Sequence, residues 1–72
     1  MNNMTQADRV LDYMTGEGSI TQLDALRELG VMRLASRIAD LRKQGFDIVS
    51  KTVPVMNRYG EVCHVKSYSL RA

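Results

Sequence analysis

The stretch that decides the fold runs from Thr21 to Gln44, TQLDALRELGVMRLASRIADLRKQ. Thr21 followed three residues later by Asp24 is an N-cap signature, a hydroxyl for an orphan N–H and an acid at the helix's positive end. Leu23, Leu26 and Leu29 recur every three residues, which predicts one apolar side of a short helix. Gly30 stands where a helix C-terminus favours a left-handed residue. Beyond Gly30, Val31 and Met32, the residues Leu34, Ile38 and Leu41 follow at i, i+4 and i+7, a single apolar stripe closed by Gly45. Two short helices across a glycine turn have the pattern of a helix-turn-helix.

The flanking sequence supplies the rest of the architecture. Thr5 and Asp8 form a second N-cap signature, after which Ala7, Val10, Leu11 and Met14 share a face. Gly16 is expected to end that first helix, and Ser19–Ile20 to be a connector or a small edge strand. After Gly45 the composition shifts. Residues 46–55 are rich in Val, Ile, Thr and Ser, and residues 62–70 in Val, Ser, Tyr and Leu. Between them Asn57 and Gly60 suit the positive φ values of a hairpin loop. Phe46 and Ile48, opposite Tyr68 and Leu70, are expected to join the ribbon to the helical core. Pro54 cannot donate to a ladder and belongs at an edge, a bulge or outside the paired region. The expectation is one α+β domain over residues 1–72, mainly α with a small β-hairpin. Its helices fall at about 5–15, 21–29 and 32–44, and its hairpin at about 46–70.

At 72 residues the chain lies near the lower size limit for an unaided core, and 44% apolar with 25% charged residues argues for a folded domain. With no Trp and one Phe, that core must be mostly aliphatic. The single Cys63 forms no internal disulfide, and one Cys with one His assembles no metal framework, so no cofactor or metal is expected. No apolar run approaches the ~20 residues of a membrane span, and Met1–Asn2–Asn3–Met4 lacks the parts of a signal peptide. A soluble protein of the reducing cytoplasm is the expectation. Residues 1–30 carry two arginines against five acids, a net −3. Residues 31–72 carry eight bases against three acids, a net +5, which together give the chain's +2. A basic half that begins with the third helix is what phosphate contact requires.

Three helices followed by a hairpin is the order of a winged helix. The sequence resembles a family of short winged helix-turn-helix proteins common in bacteriophages and prophages. The likeness rests on Ile20–Thr21, Leu29–Gly30–Val31, Arg33–Leu34–Ala35–Ser36–Arg37–Ile38, Leu41–Arg42 with Gly45, and Tyr68–Ser69–Leu70. It implies sequence-recognising binding to double-stranded DNA, in the regulation of phage or mobile-element genes within a bacterial host cell.

Helical geometry assigns roles. Arg33, Ser36 and Arg37 lie near the start of the third helix, where base edges are read, and an arginine pairs bidentately with guanine. Lys43 and Arg42 at the other end suit phosphate. Asp40 repels phosphate unless it pairs with Arg37 or Lys43, or accepts from a cytosine amine. Thr21 can cap its helix and also meet a phosphate. On the hairpin, Lys51, Arg58 and Lys66 can reach backbone or minor groove, or simply protect an exposed edge. Each of these side chains also has a plainer reading as a solvated charge. Cys63 and His64 are adjacent in a predicted strand and point to opposite faces, so they form no nucleophile pair, and no enzyme is expected. No small-molecule substrate or membrane partner is expected either. A homodimer would supply the contacts one small module lacks. Two alternatives stay open: a protein-interaction module of the same fold, such as a phage inhibitor of a host protein, and an excisionase-like DNA-architectural factor.

Overall fold

The structure, a computed structural model, describes residues 5–71; the reading of Met1–Met4 lies outside them. Helix α1 spans Gln6–Glu17, strand β1 Ile20–Thr21, helix α2 Gln22–Asp24, helix α3 Leu34–Lys43, and strands β2 and β3 Ile48–Met56 and Val62–Leu70. Helix α2 runs on as a π-helical turn over Ala25–Leu29.

Local chemistry explains the boundaries. Thr5 and Asp8 exchange side-chain and main-chain bonds of 3.1 Å in a full capping box, and Thr21 and Asp24 do the same at 3.1 and 3.2 Å. Helix α1 passes through Gly16, which takes no special φ. It stops at Gly18 instead, whose φ of 93° lets its N–H reach the Met14 carbonyl.

The expected leucine face of the second helix is not the buried one. Leu23 and Leu26 are exposed, while Ala25 is wholly buried and Leu29 half-buried. A π-turn spans five residues per hydrogen bond, so residues three apart no longer overlie one another. Small Ala25 lets this helix lie close on the core. Gly30, left-handed at φ 69°, then turns the chain, and the Val31 N–H returns to the Ala25 carbonyl at 3.0 Å.

Helix α3 begins at Leu34, two residues later than the sequence pattern suggests, because Val31 dives into the core and Met32 is left in solvent. Arg33 at the N-cap makes no side-chain cap. Its place is taken from a distance by Gln22. The Gln22 Oε1 accepts from the Leu34 N–H at 2.9 Å, and its Nε2 donates to the Val31 carbonyl at 2.9 Å. One amide thus spans the turn and fixes the start of α3 against the start of α2.

The sheet is antiparallel in the order β1-β3-β2. Short as it is, β1 pairs Ile20 with Tyr68 and Thr21 with Ser67, so the hairpin is the outer part of a three-stranded sheet. Ile20, Ile48, Tyr68 and Leu70 join Val10, Met14, Val31, Leu34, Ile38 and Leu41 in the aliphatic core. Phe46, expected in that junction, precedes β2 and is partly exposed. Its N–H bonds back to the Leu41 carbonyl at 3.2 Å, so it belongs to the end of α3 rather than to the ladder.

Arg42 bridges the same junction, its Nε and a terminal nitrogen both donating to the Ile48 carbonyl. The bonds Arg71 N–H to Asp47 carbonyl and Asn57 N–H to Glu61 carbonyl bracket an unbulged register. Odd-numbered residues of β2 therefore bond to β3, and even-numbered ones point outward. Pro54 is even-numbered on an edge strand, so the N–H it lacks is one that would have faced solvent.

Losing the Gln22 amide strips a partner from both the Leu34 N–H and the Val31 carbonyl. Gln22→Ala is expected to lower unfolding free energy by about 1–2 kcal/mol in a urea titration. A wild-type midpoint in this variant would show that the bridge contributes nothing.

Candidate nucleic-acid interface

Helix α3 buries Leu34, Ile38 and Leu41 and turns Ala35, Ala39 and Lys43 to solvent, with Ser36 and Asp40 half-buried beside them. Two alanines in the middle of that face leave nothing bulky to hold a partner away.

The first turn of α3 is unusual beside the other two helix starts. Helices α1 and α2 each place an aspartate there, while α3 has no acid in its first turn. It carries Arg33 at the N-cap and Arg37 one turn on. Cations at a helix N-terminus work against the macrodipole, so this arrangement does not serve the helix's own stability. It concentrates positive potential at one end. Arg33 and Arg37 line an open cleft with Gln6, Gly30 and Met32, where the start of α1 meets the turn.

Arg37 is not a free cation. Its Nε lies 3.3 Å from Asp40 Oδ2, one of the two pairings the spacing allows, and that nitrogen is enclosed without a hydrogen bond. What Arg37 can offer a partner is its terminal amino fork. The pairing also answers the awkwardness of an acid on this face. Lys43 is exposed in the last turn of α3, where its charge suits the dipole. Thr21 is half-buried in β1, and its hydroxyl oxygen already accepts from Asp24.

The hairpin charges do not gather. Lys51 pairs with Ser67 on the sheet face away from the helices, and Lys66 pairs with Thr52 on the helix side. Arg58 stands in the tip, seven residues after Lys51 and eight before Lys66. Cys63 and His64 face opposite ways, beside Val55 and Pro54 respectively. Among the described residues no group of three or more His, Cys, Asp or Glu can hold a metal ion, and no helix is long and apolar enough to cross a membrane.

The other side of the molecule is acidic. Asp12, Glu17 and Glu28 line a second cleft with Tyr13 and Gly16. Partial burial, and then the charges of Asp24, Glu17 and Glu28, push the Tyr13 phenol above its ordinary value of 10.0. A polyanion has no reason to settle there.

Two residues that matter here give no local signal in the chain. Gln22 works on groups nine and twelve residues away, and no spacing rule marks such a bridge. Asn57 acts through its side chain rather than through the positive φ expected of it, since Gly60 is the tip residue with positive φ. Its Oδ1 accepts from the N–H groups of Tyr59 and Glu61 at 2.9 and 3.0 Å.

Neither the curated proteins nor the solved structures contain a match to this chain. The profile of the winged helix-turn-helix domain family matches residues 5–72, in agreement with the helices and the hairpin just described. The chain belongs to the winged helix-turn-helix domain family.

Proposed function

We propose that this chain is a small sequence-specific DNA-binding protein, a cytoplasmic transcriptional regulator of a phage or mobile element. In this reading α3 enters the major groove. Ser36, Arg37 and Asp40 meet base edges, and Arg33 and Lys43 the flanking phosphates. The wing lies over neighbouring backbone through Arg58, Lys66 and Lys51, and Thr21 adds a phosphate contact at the start of α2. The family points to DNA as the partner. The observation that carries the reading is the acid-free first turn of α3, whose own N-cap side chain makes no capping bond, with Arg33 and Arg37 beside it, a positive site that costs the helix stability. An anion repays that cost on binding.

A second reading has its own support. Leu23 and Leu26 are exposed on the second helix, and the acidic cleft lies between α1 and that helix. Such a surface suits a protein partner better than DNA. Salt separates the two readings, because phosphate contacts release counterions and a mixed apolar interface does not.

Affinity for duplex DNA is expected to fall steeply with salt, Arg33→Ala to flatten the log–log slope by about one, and Arg37→Ala to cost about 1–3 kcal/mol on the preferred duplex and relax discrimination at the base it reads. A wild-type slope in Arg33→Ala together with wild-type affinity and discrimination in Arg37→Ala would remove α3 from the interface. Arg33→Asp offers a test with opposed signs. An aspartate at the N-cap can accept from the Ala35 or Ser36 N–H, which the Gln22 bridge does not serve, so thermal unfolding should show a gain of about 0.5–1 kcal/mol. The same variant should bind duplex at least tenfold more weakly. A variant that is both stabilised and fully binding would detach this turn from DNA recognition.

A further inference from the structure

The wing ends in a group of side chains that the fold itself does not use. Tyr59 is 78% exposed and Met56 71%, and Val55 and Val62 are also open to solvent. Met56 pairs with Val62 on the helix-side face and Val55 with Cys63 on the other, so the last two rungs are apolar on both faces. Among the described residues nothing in the helical body covers them. The ribbon carries Met56 about 17 Å past the Lys51–Ser67 pair, the rung where β1 stops pairing.

The tip is also held in shape. Besides the two bonds to its Oδ1, Asn57 donates its N–H to the Glu61 carbonyl at 2.9 Å. It accepts from the Gly60 N–H at 3.1 Å and donates Nδ2 to Glu61 Oε1 at 3.1 Å. A loop so tied presents Tyr59 and Met56 rather than letting them fold back. Its one carboxylate is turned inward on Asn57, which leaves Arg58 as the outward charge.

Resting on the DNA-binding reading above, we propose that the wing tip is a wedge. In this proposal Arg58 enters the minor groove, and Met56 and Tyr59 press apolar surface into a base step, unstacking it and bending the duplex. Methionine and other apolar side chains unstack base steps in this way, and a cation beside them matches the negative potential of a narrow groove. Rigidity lowers the ordering cost of such an insertion. The edge of β2 argues against a second copy as the occupant. Pro54 removes an outward N–H and Arg42 occupies the Ile48 carbonyl, so a partner strand finds a broken ladder.

The test uses a duplex carrying a donor–acceptor dye pair at its ends, and the same duplex with 2-aminopurine at successive positions. The wild-type chain should shorten the end-to-end distance, consistent with a kink within about 20–90°, and raise 2-aminopurine fluorescence at one step. A Met56→Ser, Tyr59→Ser double variant should bind within about tenfold of wild type with an unchanged salt slope, yet lose both signals. Both side chains are solvent-exposed, so its melting curve should match wild type. A wild-type chain that binds without bending, or a double variant that bends as wild type does, overturns the wedge and leaves DNA binding intact. Variants that alter only the sedimentation of the free protein assign the tip to self-association and overturn it as well. Absence of any salt-sensitive duplex binding overturns the wedge together with the reading beneath it.

Discussion

The Gln22 side chain ties the start of α3 to the start of α2, and the character of the candidate interface depends on that tie. Its carbonyl oxygen takes the Leu34 N–H and its amino group the Val31 carbonyl, each at 2.9 Å. The main-chain returns at the turn, from the Gly30 and Val31 N–H groups, both end on the Ala25 carbonyl and do not reach α3. Because Arg33 caps nothing, α3 would start with an unpaired donor and no fixed direction. The borrowed cap frees the N-cap position from a structural duty. An arginine can then stand where stability alone would place Asp, Ser or Thr.

That freedom explains the division of the molecule into a self-sufficient and a partner-seeking part. Helices α1 and α2 begin with complete capping boxes and lie beside the acidic cleft. Helix α3 and the hairpin carry the basic residues and the less satisfied features: an arginine-flanked helix start, a half-enclosed guanidinium beside Asp40, and an apolar ribbon end. The core is one aliphatic cluster that ties α3 to the base of the sheet through Ile38, Leu41 and Ile48, and Arg42 repeats the tie on the surface. Whatever α3 contacts, the wing base is held in fixed relation to it.

Much of this was legible in the chain, for reasons that can be named. The stripe Leu34–Ile38–Leu41 has the helical period and is buried. The hairpin is announced by β-branched runs around Asn57 and Gly60. The second helix misled because its leucines have regular spacing while the backbone widens into a π-turn, which no periodicity records. Phe46 misled because a large apolar residue beside a strand looks like core, yet its position was taken by the closure of α3 around Gly45. In the candidate interface, the Arg37–Asp40 pairing follows from i to i+3 spacing. The opposite facing of Lys51 and Lys66 follows only once the register is known. Bridges across nine or twelve residues, like that of Gln22, depend on tertiary placement and leave no local mark.

In the proposed function the outward side of α3 and the wing, and not the acidic side, meet DNA. Titrating the ¹⁵N-labelled chain with a short duplex and following backbone amide shifts tests it residue by residue. The largest changes are expected at Ala35, Ser36, Ala39 and Lys43, with a second group at Arg58 and Tyr59. Little change is expected at Asp12, Glu17, Leu23 and Leu26. Shifts centred on those last four residues, with α3 undisturbed, would contradict it.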